Sequence, residues 1–145
     1  EYRKRYNKAY PFNLPDPIVF CPVCRRSFWL WDLDKLYKDG INYYFHCNVL
    51  IAYRPVENLC FDLDGIFTIE ERGFDYNKRS PFKKNIDLLN NYKKAGYRIT
   101  IYTSRFSQDE KITKRWLKRY NISYDKLLFE KPLANYYLDD RMVQR

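Results

Sequence analysis

The sequence predicts an α/β fold with a mainly parallel sheet and flanking helices, joined to a small cysteine-containing appendage at the N-terminal side. From residue 57 onward, short apolar runs alternate with helical apolar periodicity, which is typical of strands joined by helical crossovers. Residues 1–56 lack this alternation, carry a C-x-x-C motif and end beside Pro55. We therefore divide the chain into an N-terminal extension, residues 1–56, and an α/β domain, residues 57–145.

The α/β domain shows the order strand, helix, strand, helix, strand, strand. The predicted elements are a buried strand at 57–63, a charged loop or small hairpin at 66–80, a helix from Pro81 to Gly96, a strand at 97–102, a helix at 109–120, and strands at 126–129 and 135–138. Proline is favoured in the first turn of a helix, and glycine is favoured just after the last turn. In such sheets, ligands bind beyond the carboxyl ends of the strands.

The N-terminal extension has fewer regular signals. Four prolines in residues 11–22 predict an extended, turn-rich segment. Residues 27–38 fit a short helix with Ser27 as its N-cap. Residues 41–53 fit a hairpin or two short strands.

Composition and charge limit the partners that we expect. The chain has 145 residues, a formal net charge of +9, 46% hydrophobic residues and only 4 glycines, which indicates a globular protein with a basic surface. Such a surface attracts anions, including phosphorylated substrates and nucleic acid. The sequence has no apolar run of about 18 residues and no signal peptide, so we expect an intracellular, cytoplasmic protein without a membrane partner.

Polar side chains follow each predicted strand of the α/β domain. In chain order they are Asp62, Asp64 and Gly65 after the first strand, Thr103 and Ser104 after the second, Lys131 after the third, and Asp139 and Asp140 after the fourth. Taken singly, Asp-Gly is a common turn and the other charges are ordinary surface residues. Because all of them fall where this fold places its ligands, their order and placement favour a phosphotransferase-type site.

These residue types suit phosphoryl chemistry. A carboxylate can attack phosphorus and form an aspartyl-phosphate, while a second carboxylate moves protons. Mg²⁺, which prefers oxygen ligands, offsets the negative charge, and a lysine and a hydroxyl can bind phosphoryl oxygens.

The same residues carry a resemblance to a known family. D-L-D-G, T-S-R, K-P and D-D, each at a predicted strand end, resemble in order the four motifs of the haloacid dehalogenase superfamily, over roughly residues 57–140. Since the link from the first strand to the first helix leaves no room for a large cap domain, the chain is similar to small capless phosphatases of phage and capsule-gene type. A virus- or phage-encoded protein is one origin that this similarity suggests.

The resemblance implies a Rossmann-like sheet and Mg²⁺-dependent hydrolysis of a phosphomonoester through an aspartyl-phosphate. The substrate would be a nucleotide or nucleic-acid end, a sugar phosphate or a phosphoprotein. By this resemblance, Asp62 is the nucleophile, Asp64 the general acid/base and Lys131 the catalytic lysine. Thr103, Ser104 and Gly65 would contact the phosphate, and Asp62, Asp64, Asp139 and Asp140 would hold Mg²⁺. Ile66 departs from the family, which usually has threonine there.

Four residues of the extension have the chemistry of a zinc site. Cys21 and Cys24 form the C-x-x-C motif, and His46 with Cys47 would complete the set for a structural Zn²⁺. The alternative is a set of reduced intracellular cysteines with a lone half-buried histidine. Cys60 could replace one ligand, although its place in a predicted buried strand favours an inert core thiol.

A function of another class also fits the sequence. The α/β fold could serve as a non-catalytic binding module, whose basic, zinc-knuckle-like segment binds nucleic acid or a protein within a larger assembly. Binding that survives the loss of Asp62 would distinguish this function from hydrolysis.

Overall fold

A computed structural model describes residues 18–69 and 75–134, which form ten short strands and two α-helices. The strands are β1 Ile18–Phe20, β2 Ser27–Trp29, β3 Asp34–Lys38, β4 Ile41–His46, β5 Val49–Pro55, β6 Asn58–Phe61, β7 Thr68–Ile69, β8 Ser80–Pro81, β9 Arg98–Tyr102 and β10 Lys126–Leu128. The helices are α1 Lys83–Lys94 and α2 Glu110–Arg119. None of the helices in these two ranges has the length and apolar character needed to span a membrane.

The α/β domain contains a three-stranded parallel sheet in the order β10–β9–β6. In the chain, α1 connects β6 to β9, and α2 connects β9 to β10. The structure therefore confirms the mixed α/β character and the predicted order strand, helix, strand, helix, strand. The fourth predicted strand, residues 135–138, lies outside the described residues.

Two predictions for the elements of the α/β domain differ from the structure. Pro81 does not open α1; it belongs to β8, where it pairs with Thr68 of β7, and the helix begins two residues later at Lys83. This pairing confirms the small hairpin predicted for the charged segment. The strand β6 is also less buried than predicted, because Asn58 and Cys60 are exposed.

The described part of the extension, residues 18–56, is built mainly from β-structure. Strands β1 and β2 form an antiparallel pair, and β3, β4 and β5 form an antiparallel sheet in that order. The helix predicted at residues 27–38 is therefore wrong: this range contains β2, a 3₁₀ turn at Leu30–Asp32, and β3. The strand preference of its aromatic residues and the pairing of Ser27–Trp29 with β1 outweigh the N-cap signal of Ser27.

Side chains of the β3–β4 hairpin donate hydrogen bonds to the carbonyl groups at the carboxyl end of α1. The last carbonyls of a helix have no partner inside the helix. Here Lys35 donates to the Lys94 carbonyl at 3.1 Å, Tyr44 donates to the Ala95 carbonyl at 2.5 Å, and Asn42 donates to the Gly96 carbonyl at 3.1 Å. Burial raises the pKa of Tyr44 to about 12, so its hydroxyl remains a donor well into the alkaline range.

One hydrophobic core joins the two segments. Leu30 and Tyr44 from the extension are buried in the same cluster as Leu89 and Tyr92 of α1 and Ile99 of β9. Trp31 adds an edge-to-face contact with Tyr92, at a centroid distance of 5.7 Å. The extension therefore packs directly against the helix that leads into β9.

Gly96 provides a test of this junction. Its φ of +103° is unfavourable for other residues, and an added Cβ would collide with the Asn42 side chain, whose Cγ would be 2.7 Å away. We expect Gly96→Ala to lower the free energy of unfolding by about 3 kcal/mol, measured by urea denaturation. Gly40→Ala is the matched control, because Gly40 has a φ of +79° but no neighbouring atom within 4 Å of the added Cβ. An equal loss in both variants would contradict a specific contact at Asn42.

Candidate active site

The candidate active site begins in the loop that follows β6. Gly65 has a φ of +83°, which allows the sharp bend after Asp64. The carboxylate of Asp62 accepts a hydrogen bond from the Leu63 backbone N–H at 2.7 Å. The Thr68 hydroxyl donates to Asp64 Oδ1 at 3.1 Å and accepts from the Gly65 N–H at 3.2 Å. Side-chain and backbone contacts thus fix both carboxylates within a short turn.

Lys131 lies beside the predicted nucleophile. Its Nζ donates to Asp62 Oδ2 at 3.2 Å, and the Asp62 side chain is 38% exposed. The Lys131 N–H also donates to the Thr103 carbonyl, and the Thr103 N–H donates to the Leu128 carbonyl, both at 2.9 Å. The segment after β10 therefore continues alongside the segment after β9 and brings Lys131 to the end of β6.

Asp64 is held by an arginine that the sequence analysis left without a role. Arg105 Nε donates to Asp64 Oδ2 at 2.8 Å, and its Nη2 donates to Asp64 Oδ1 at 2.7 Å. The arginine is only 2% exposed, donates also to Thr113, and lies over the Tyr76 ring at 3.9 Å. The sequence did contain a signal for this role, because Arg105 is part of the T-S-R motif and arginine can bind both oxygens of a carboxylate.

The other predicted site residues have different surroundings. Thr103 is fully buried, and its hydroxyl accepts a hydrogen bond from the Arg105 N–H at 3.2 Å. Ser104 is half-buried in the same loop. Asp139 and Asp140 lie outside the described residues, so their predicted role as Mg²⁺ ligands stays a prediction.

Cys60 differs from its predicted environment. The expectation of an inert core thiol is wrong, because Cys60 is exposed on β6 rather than buried in the core. Side chains alternate between the two faces of a strand, so Phe61 faces the core while Cys60 faces away. Cys60 is also absent from the group of metal-ligating side chains formed by the other three cysteines.

The extension brings four metal-ligating side chains together. Ligand atoms of Cys21, Cys24, His46 and Cys47 all lie within 4.8 Å of one another. His46 Nδ1 is 3.2 Å from Cys47 Sγ and 3.8 Å from Cys24 Sγ. This Cys₃His cluster could hold a metal ion, as the sequence predicted for the same four residues.

Two tight loops produce this cluster. Cys21 and Cys24 lie in the loop between β1 and β2, where the Cys21 N–H donates to the Arg26 carbonyl at 2.9 Å. Cys47 and Asn48 form the two-residue turn between β4 and β5, with φ values of +50° and +60°. The turn points adjacent residues 46 and 47 at one centre, which explains how neighbouring ligands can serve one site.

The thiols of this cluster differ in acidity. Burial raises the pKa of Cys24, but hydrogen bonds with Arg26, Cys21 and Cys47 together outweigh burial and lower the pKa overall. Burial raises the pKa of Cys47, and interactions with Cys21 and Cys24 raise it further. The cluster therefore contains one more acidic thiol, Cys24, and one less acidic thiol, Cys47.

Comparisons with known proteins support the fold rather than a named family. No family model and no curated protein matches the chain. A crystal structure of a target protein from Vibrio cholerae is similar at 29% identity and a TM-score of 0.51, over 59% of this chain and 81% of that chain.

Two further solved structures are similar over about the same share of the chain. A chain of the Pnkp1/Rnl/Hen1 complex is 23% identical, with a TM-score of 0.48, over 61% of this chain and 32% of that chain. A chain of the Pnkp1/Rnl/Hen1 RNA repair complex is 24% identical, with a TM-score of 0.47, over 60% of this chain and 29% of that chain.

Proposed function

We propose that the protein is a Mg²⁺-dependent phosphomonoester hydrolase of the haloacid dehalogenase type, with a Rossmann-like domain that acts through an aspartyl-phosphate. One observation carries the proposal: two carboxylates two residues apart have different partners. Asp62 is partly exposed beside the Lys131 ammonium, whereas Asp64 is fixed by Arg105. An exposed carboxylate suits attack on a substrate, and an oriented one suits proton transfer.

The proposed reaction has two steps. Asp64 enters the first step in its protonated form. An oxygen of Asp62 attacks phosphorus, the bond from phosphorus to the leaving oxygen breaks, and the Asp64 proton passes to that oxygen. A water then attacks phosphorus, Asp64 takes the proton of the water, and the bond between phosphorus and Asp62 breaks to release inorganic phosphate. Lys131 offsets negative charge next to Asp62 in both steps.

The described residues fit the oxygen chemistry that Mg²⁺ prefers. The exposed Asp62 carboxylate and the Asp64 backbone carbonyl would hold the ion, together with Asp139 and Asp140. Both Asp64 side-chain oxygens accept from Arg105, so the carbonyl is the better donor from this residue. Bound Mg²⁺ would neutralise charge on the phosphoryl oxygens.

Replacement of Asp62 tests the proposal. We expect phosphate release from a generic aryl phosphate with Mg²⁺ to fall by at least about 10³-fold in Asp62→Asn, because the amide cannot act as the nucleophile. Asp87→Asn is the control, since Asp87 is an exposed partner of Lys83 on α1. A well-folded wild-type protein without turnover on a broad panel of phosphomonoesters would refute the proposal.

A binding function is the second candidate, and one observation favours it. Among the described residues, nine of the twelve exposed large hydrophobic side chains belong to residues 18–53. Exposed apolar side chains form an interaction site where they make a contiguous patch, so this segment is the part of the described residues in which to seek one. Salt-dependent nucleic-acid binding, or binding of a protein partner, that persists in Asp62→Asn would support this candidate.

We propose further that the Cys₃His cluster binds a structural Zn²⁺ ion. Three sulfur ligands and one imidazole nitrogen suit a closed tetrahedral zinc site. The ion would join the β1–β2 loop to the β4–β5 turn. It would thereby fix β4, which also carries Asn42 and Tyr44 to the end of α1.

A further inference from the structure

Exposed apolar side chains also occur around the candidate active site. Outside residues 18–53, the large exposed hydrophobic side chains of the described chain are Phe106, Leu128 and Leu133, at 60%, 47% and 88% exposure. Phe106 follows Arg105, Leu128 ends β10, and Leu133 comes two residues after Lys131. All three therefore lie at the carboxyl edge of the parallel sheet, and Phe106 directly follows Arg105, which holds Asp64.

The loop that carries Phe106 is anchored on both sides. On one side, Arg105 is fixed by Asp64 and Thr113, and its carbonyl accepts from the Glu130 N–H at 2.9 Å. On the other side, the Ser107 hydroxyl donates to Glu130 Oε1 at 2.8 Å. A fixed backbone thus presents the Phe106 ring to solvent, so the ring needs little reordering to bind a ligand.

We propose that Phe106 is a substrate-contacting residue that stacks on a planar ring in the leaving group of the phosphomonoester. The inference rests on the proposed hydrolase function. A phosphate beside Asp62 and Lys131 would place its leaving group toward the loops that follow β9 and β10, where Phe106 is exposed. Aromatic rings stack on any planar π-system, so nucleoside monophosphates and aryl phosphates share the required chemistry, whereas glycerol phosphate lacks it.

Steady-state kinetics with three substrates tests this assignment. The substrates are a nucleoside monophosphate, phenyl phosphate and glycerol phosphate, and the variants are Phe106→Ala, Phe106→Leu and Phe106→Trp. For at least one ring-containing substrate, we expect KM to rise about tenfold in Phe106→Ala and Phe106→Leu and to recover in Phe106→Trp, because one aromatic stack is lost and then restored. For glycerol phosphate, we expect kcat and KM to stay within about twofold of wild type.

The two ring-containing substrates identify the source of the ring. A KM increase confined to the nucleotide assigns the site to a base, and an increase for phenyl phosphate assigns it to an aryl group close to the phosphorus. Tyr53→Ala, which removes an exposed aromatic ring from β5, is the control and should leave KM unchanged for both ring-containing substrates.

Two outcomes would overturn the stacking role while leaving the hydrolase intact. These are equal KM changes for all three substrates, or full activity of Phe106→Leu. A wild type that hydrolyses none of the three would overturn the stacking role, and the broad panel of phosphomonoesters tests the hydrolase function separately.

Discussion

Replacing Arg105 with methionine is expected to reduce phosphatase activity by at least about 100-fold and to lower the free energy of unfolding by about 3 kcal/mol. The buried guanidinium holds both oxygens of Asp64, and its removal leaves that carboxylate without its oriented partner. The expected stability cost lies at the lower end of the range for buried ion pairs, because the Asp64 side chain is still 21% exposed. Urea denaturation and phosphate release measure the two effects.

Two further variants separate orientation from charge. Arg105→Lys keeps the positive charge but not the planar, two-point contact, so we expect most of the activity loss to remain. Arg98→Met removes an exposed arginine from the start of β9 and should change stability by less than about 0.5 kcal/mol. Since Arg105 acts through Asp64, Arg105→Met should add little to the activity loss of Asp64→Asn. Near wild-type activity in Arg105→Met would contradict this role.

Removal of a metal from the Cys₃His cluster is expected to have the largest effect on folding. Structural zinc sites contribute on the order of 10 kcal/mol of binding free energy that is coupled to folding. We therefore expect one zinc per chain by elemental analysis, and a melting temperature that falls sharply with a zinc-selective chelator in excess Mg²⁺. The stacked Trp29 and Trp31 rings lie in the extension, so their fluorescence should report the change.

Cysteine variants provide the matched comparison. Cys24→Ser should lose the zinc and most of the associated stability, because Cys24 is one of the four clustered ligands. Cys60→Ser should keep both, because Cys60 is exposed on β6 outside the cluster. Cobalt substitution gives an independent measurement, since thiolate ligands produce strong absorption in the visible and near-ultraviolet range. Equal zinc content in Cys24→Ser and wild type would exclude the assigned site.

The sequence was most informative where local pattern and burial agree. The strand at 97–102 and the helix at 109–120 have clear apolar periodicity, and the structure contains β9 and α2 there. The positions of Asp62 and Lys131 could also be predicted, because strand ends in a parallel sheet share one edge.

Other features depend on contacts between distant residues. The segment at 27–38 is β-structure because Ser27–Trp29 pairs with β1, a tertiary effect that helix-start rules cannot include. The role of Arg105 depends on its approach to Asp64, which lies 41 positions earlier in the chain. The exposure of Cys60 depends on which face of β6 packs against the core, where Phe61 is buried and Cys60 is not.

The hydrogen bonds from the β3–β4 hairpin to the end of α1 affect how cooperatively the protein unfolds. Position 56 is a boundary in sequence, but the hydrogen bonds from Lys35, Asn42 and Tyr44 to α1 and its end cross that boundary. A fragment that starts at residue 57 would leave three carbonyl groups to water and expose part of the shared core. We therefore expect the extension and α1 to unfold together, so that loss of order around the metal ligands also destabilises β9, the strand that precedes Thr103.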